Sequence, residues 1–139
     1  MNICQHLTAV AGSCPDKEAI VFDGRRFTFQ QLDRLSIAAA SRLVEAGLNP
    51  GDRVAIMLPN VPAFVVWYYA TLRIGAIAVS VSTRLTEQEV AYVVDDCAAK
   101  VLVSDSATMS KLVEHLPKCV AQTLVASEAG DACDGQSLH

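Results

Sequence analysis

GDRVAIMLPNVPAFVVWYYATLRIGAIAVSVSTR, residues 51–84, reads as one strand–helix–strand unit, and that reading decides the fold. Its first apolar run, residues 54–58, lies between Gly51-Asp52 and Pro59-Asn60, the pattern of a parallel strand covered on both faces. Asn60 is expected to cap the following helix with its side-chain oxygen. Pro62 is tolerated in the first turn, where backbone N–H groups have no intrahelical partner. The helix is predicted over residues 63–74. Phe64, Val65, Val66, Trp67, Tyr68, Tyr69 and Leu72 surround almost its whole circumference, so it is expected to be buried all round, with its aromatic cluster in the core. Gly75 is expected past the helix end at positive φ. Residues 76–81 then form a second parallel strand, apolar on both sides and reached by a right-handed crossover.

Working outward toward the N-terminus, Gly47 and Asn49-Pro50-Gly51-Asp52 separate this unit from a helix opened by Thr28 and Gln31. These two make a capping box, and Leu32, Leu35, Ala39 and Leu43 form the apolar stripe behind it. Before that helix, residues 19–22 and 26–28 flank Asp23-Gly24, a hairpin signal because both residues accept positive φ; Asp16 and Asp23 read as turn residues. The chain opens with a short helix whose face is predicted as Ile3, Leu7, Val10 and Ala11, ended by Gly12-Ser13 and Pro15.

Toward the C-terminus, Thr86 and Glu89 make a second capping box, followed by Val90, Val93, Val94 and Cys97 at helical spacing. Residues 101–103 read as a strand. Asp105 or Ser106 caps a further helix carrying Met109, Leu112, Val113 and Leu116 before Pro117, and residues 123–126 read as a last strand. From Ser127 onward periodicity is lost. The predicted class is α/β: a doubly wound, mostly parallel sheet with flanking helices, preceded by a short helix and a β-hairpin. Residues 1–50 hold the helix, hairpin and capping-box helix, 51–126 the parallel unit and 127–139 a terminal loop, all within one incomplete domain.

Apolar residues make up 52% of the 139, more than the roughly 45–50% of an ordinary soluble domain, which predicts that part of the molecule lies outside this sequence. An apolar face left open would promote self-association. A net charge of −4 and a single adjacent basic pair, Arg25-Arg26, exclude a nucleic-acid footprint. Cys4, Cys14, Cys97, Cys119 and Cys133 have no metal-ligand spacing and read as thiols, which points to the cytoplasm. The N-terminus shows no basic region of a secretory signal. The charge-free run of residues 54–72 is split by Pro59, Asn60 and Pro62 into pieces too short to span a membrane, so no transmembrane segment is expected.

A fold of this class binds ligands at the carboxyl ends of its strands, yet the glycines, never closer than four apart, write neither G-x-G-x-x-G nor a Walker loop. His6, His115 and His139 are scattered with no nucleophile or acid at motif spacing. The residues therefore assign no catalytic, cofactor-binding or metal-binding position, and no ligand is expected to bind this segment by itself.

The succession FTFQQLDRL (27–35), GLNPGDRVAIMLPN (47–60), RIGAI (73–77), RLTEQEVAYVVDD (84–96) and AKVLV (99–103) resembles the N-terminal segment of AMP-forming acyl-CoA synthetases, in the adenylate-forming superfamily. The resemblance implies a parent enzyme that joins a carboxylic acid, fatty or otherwise organic, to ATP. It would release pyrophosphate and pass the acyl group from AMP to coenzyme A, with Mg2+ as a further cofactor. It also implies that the Ser/Thr/Gly-rich phosphate loop, the acidic ribose motif and the mobile lysine lie downstream, so none transfers to a residue here and the segment alone is expected to be inactive. One stretch departs from the family pattern: V-P-x-N-P-R-L is replaced by Val79-Ser80-Val81-Ser82-Thr83-Arg84-Leu85. Leu85-Thr86, where peptide-synthetase adenylation domains tend to have Tyr-Pro, tilts the resemblance to CoA ligases. The alternative is a free-standing, non-catalytic α/β interaction module. A receiver-like signalling domain is disfavoured, because Asp52 precedes its strand and Asp95-Asp96 fall in a helix.

Overall fold

A computed structural model describes residues 2–127. Helix α1 (Ile3–Ser13) leads into the antiparallel hairpin β1 (Glu18–Phe22) and β2 (Arg25–Thr28), then α2 (Phe29–Glu45). The chain continues β3 (Arg53–Met57), α3 (Pro62–Arg73), β4 (Ile77–Ser80), α4 (Glu87–Asp96), β5 (Val101–Ser104), α5 (Ser106–Leu112), a single 3-10 turn (Val113–His115) and β6 (Gln122–Val125). The four later strands form one parallel sheet in the order β4-β3-β5-β6.

Alternation along the central strands creates two apolar layers. Val54 and Ile56 of β3, with Val101 and Val103 of β5, pack into the cluster that holds Leu32, Ala39 and Leu43 of α2 and Val66, Trp67 and Ala70 of α3. Ala55, Met57 and Leu102 point the opposite way, into Val90 and Val94 of α4 and Met109 and Leu112 of α5. The sheet is thus covered on both faces at its centre, which is the doubly wound arrangement expected from the sequence.

Local signals explain most element ends. Both capping boxes form: Thr28 Oγ1 accepts from Gln31 N–H at 3.2 Å while Gln31 returns a bond to Thr28 N–H, and Thr86 and Glu89 repeat the exchange. Asp23 and Gly24 turn the hairpin with φ of 48° and 73°. Asp105, not Ser106, caps α5. Gly75 lies past the end of α3 at φ 76°, and a Cβ there would stand 3.3 Å from Pro50 Cβ. Gly75→Val should therefore destabilise by about 1 kcal/mol or more, read as a lower urea midpoint at constant slope, since a branched side chain meets both the wrong backbone region and a proline ring.

Four expectations are corrected. Asn60 does not cap α3; Val61 is the N-cap residue, with no side-chain bond, because the residue before a proline is driven to extended backbone, here φ −120° and ψ 162°. The circumference of α3 is not buried all round. Val66, Trp67, Ala70 and Thr71 face inward while Tyr68 is exposed and stacks on Phe64 at 6.3 Å. The strand after Gly75 is an edge strand whose four residues are all at least partly exposed, Ile77 at 47%, because the crossover from β4 carries the chain past β3 and leaves β4's outer side uncovered. The buried face of α1 is Cys4, Leu7 and Ala11, with Ile3 and Val10 exposed, a rotation that brings Cys4 Sγ to donate to Tyr69 O at 3.2 Å.

Candidate functional site

Helix α3, following β3, packs on one face of the sheet and α5, following β5, on the other. The connections leaving these neighbouring strands therefore diverge, opening the crevice where ligands of open α/β sheets bind. Its floor is pinned by Ser104, a fully buried hydroxyl whose Oγ donates to Met57 O at 2.8 Å, tying the carboxyl end of β5 to that of β3. Pro59 and Asn60 form the exposed rim above β3, and Ser82, Thr83 and Arg84 the exposed rim beyond β4.

Asp105 stands at the lip above β5. Burial alone would raise its carboxyl, but the backbone and hydroxyl of Thr108, at 2.8 and 2.7 Å, hold it below the ordinary aspartate value. The carboxylate therefore stays charged at neutral pH and is engaged as the cap of α5, where the helix dipole favours it. At the opposite end of the sheet, Lys100 lies 2.8 Å from Asp52 Oδ1 and Asn49 N–H donates to Oδ2 at 2.8 Å. Lys100 first, and Asn49 after it, lower the Asp52 carboxyl. Asp52 thus closes the turn into β3, far from the crevice.

The polar assembly that sequence reasoning missed joins the three helices on one face. Arg73, at the end of α3, donates through Nη2 to Asp33 Oδ1 at 2.6 Å and to Ser36 Oγ at 2.9 Å, and through Nη1 to Thr8 Oγ1 at 3.3 Å. Thr8 in turn donates to Asp33 at 3.1 Å. Asn2, Cys4, Gln5, Thr8, Ala9 and Arg73 line a shallow groove of about 450 Å³ beside it. Asp33 and Arg73 are forty residues apart, each inside a stretch that resembles the family but with nothing local to pair them; the signal available was a charged residue among the apolar positions of α2 and of α3.

The other flagged residues are not brought together. His6 and His115 are exposed on different elements, Asp16 and Asp23 occupy turns, and Cys4, Cys14, Cys97 and Cys119 are free thiols. His139 and Cys133 lie outside the described residues. Among the described residues no three metal-ligating side chains converge, and no helix is long and apolar enough to cross a membrane. Chemically, this end of the sheet holds a buried hydroxyl already committed to Met57 O and an exposed polar rim.

Comparison with known proteins identifies this architecture. The AMP-binding enzyme family matches residues 7–138. A long-chain-fatty-acid--CoA ligase of Bacillus subtilis is 33% identical over 90% of this chain and 22% of its own length. The 2-succinylbenzoate--CoA ligase of Bacillus velezensis is 34% identical over 84% of this chain and 24% of its own. Among solved structures, the N-terminal domain of FACL13 from Mycobacterium tuberculosis superposes with a TM-score of 0.86 at 27% identity, covering 99% of this chain and 37% of that one. The chain thus spans between a fifth and a quarter of the length of these two ligases. With the family matching residues 7–138 and the fold shared with part of the FACL13 N-terminal domain, the chain belongs to the AMP-binding enzyme family.

Proposed function

We propose that this chain forms the N-terminal part of an ATP-dependent acid–CoA ligase that converts a carboxylic acid to its acyl-AMP and then to its acyl-CoA thioester. The observation that carries the reading is the match to a long-chain-fatty-acid--CoA ligase over 90% of the chain. Adenylate formation by this family uses ATP; Mg2+ to neutralise the phosphates and coenzyme A as acceptor complete the proposed reaction. The cytoplasm is the proposed site of action. A fatty acid is the proposed substrate, with aromatic acids as the comparison class because the 2-succinylbenzoate ligase is similar over most of the same residues.

The described residues contribute framework: Ser104 and Asp105 fix the strand ends and the helix that the rest of the enzyme would build upon. No residue of this chain is assigned to phosphate chemistry, since neither phosphate-loop pattern occurs in it. Acid-dependent exchange of pyrophosphate into ATP is the test. The gene's complete product should show exchange with long-chain acids and weaker exchange with benzoates. The 139-residue polypeptide alone should show none. Exchange by the isolated segment, or its absence from the complete product with every acid tried, would overturn the assignment.

A further inference from the structure

Cys97, at the C-terminal cap of α4, and Cys119, in the turn that leads to β6, direct their thiols at the same atom. Cys97 Sγ donates to Val94 O at 3.5 Å and Cys119 Sγ to that oxygen at 3.7 Å. Both residues are half-buried and pack against the same apolar cluster on the α4/α5 side of the sheet. Cys4 lies across the sheet, bonded to Tyr69, and Cys14 stands exposed just past α1, so the two thiols on Val94 are a separate pair. We infer that Cys97 and Cys119 form a redox pair, closing to a disulfide when a hydroperoxide reaches them.

A carbonyl oxygen has two lone pairs and can hold two weak S–H donors, but it holds them on adjacent sides. Rotation of either side chain off Val94 costs only a weak hydrogen bond. Both sulfurs lie within 3.7 Å of one oxygen, and burial, with the Asp95 carboxylate after it, raises the Cys119 thiol. With Cys97 as the attacking sulfur, Cys119 resolves. The Cys97 thiolate attacks the terminal peroxide oxygen and breaks the O–O bond. Sulfur becomes a sulfenic acid, and the leaving oxygen takes up the proton released by the thiol, departing as water or an alcohol. The Cys119 sulfur then displaces the hydroxyl group: the S–S bond forms, the S–O bond breaks, and water leaves with the Cys119 proton. The two sulfurs together lose two electrons and the peroxide gains them. The product staples the end of α4 to the turn before β6.

The test is a cross-link map of the complete protein after exposure to hydrogen peroxide, digested without reduction. No Lys or Arg separates Cys119 from Cys133, so trypsin is combined with a Glu-specific protease, which cuts at Glu128 between them. The expected species joins the peptide of Cys97 to that of Cys119, removes two alkylatable thiols and disappears on treatment with dithiothreitol. Cys97→Ala should convert Cys119 to an alkylatable thiol and abolish the cross-link. Independent oxidation of either sulfur to a sulfinic acid, a link to Cys133 in place of Cys97, or two thiols that stay alkylatable in wild-type protein would each overturn the pairing.

Discussion

Replacing Trp67 by alanine is expected to cost about 4 kcal/mol of folding stability, a large share of the roughly 5–15 kcal/mol that holds a domain together. Trp67 is 1% exposed and is among the largest fully buried side chains of the described residues. It lies in the layer between α2 and the sheet, with the Arg42 guanidinium 5.5 Å from its ring centroid, so removal opens a cavity and withdraws a cation–π contact together. Neighbouring Leu43, Val66 and Ile56 are themselves fully buried, which limits how far the site can collapse. Because the chain has a single tryptophan, the midpoint should be followed by far-UV circular dichroism rather than by fluorescence. A loss below about 1 kcal/mol would show that the layer repacks freely and that α3 is not held by this residue. Trp67→Phe, which keeps most of the volume, should cost well under half as much.

Arg73→Ala is expected to destabilise by about 3 kcal/mol, and Asp33→Ala by a similar amount. The two side chains are 21% and 15% exposed, so each is largely withdrawn from water and truncating either strands a charge next to Ser36 and Thr8. The penalty arises from the abandoned partner more than from the lost attraction, which fixes the sign of the double mutant: Asp33→Ala combined with Arg73→Ala should be less destabilising than the two single changes added together. Strict additivity in a double-mutant cycle would refute a coupled pair. This ion pair differs from that of Arg26 and Glu18 on the hairpin, where both side chains are well exposed and removal should be near neutral. The Arg73 network also joins α1 to α2 and α3, so local opening of α1, read by hydrogen exchange, should increase in Arg73→Ala before global unfolding.

The sequence by itself determined every feature set within a few residues. Both capping boxes, the Asp23-Gly24 turn and the positive φ of Gly75 depend only on side chains three or four positions apart or on one residue's steric map, and each is legible without a fold. The same holds for Val61 as the cap of α3: the rule that a residue before proline is extended outweighs the capping preference of Asn60. Alternation of Val54, Ala55, Ile56 and Met57 already required helices on both faces, and the family pattern ran along the chain. Tertiary structure decided what depends on which elements become neighbours. That β4 is an edge follows from the order β4-β3-β5-β6, and an apolar run has the same composition at an edge as at the centre. The inward face of α1 is set by where Tyr69 and Leu72 present carbonyls to Cys4 and Asn2, 65 and 70 residues away, rather than by its own hydrophobic spacing. The Ser104 pin, the Arg73–Asp33 pair and the two thiols on Val94 join partners distant in the chain, and contacts of that kind carry no periodicity because the sheet and its crossovers alone bring the partners within reach.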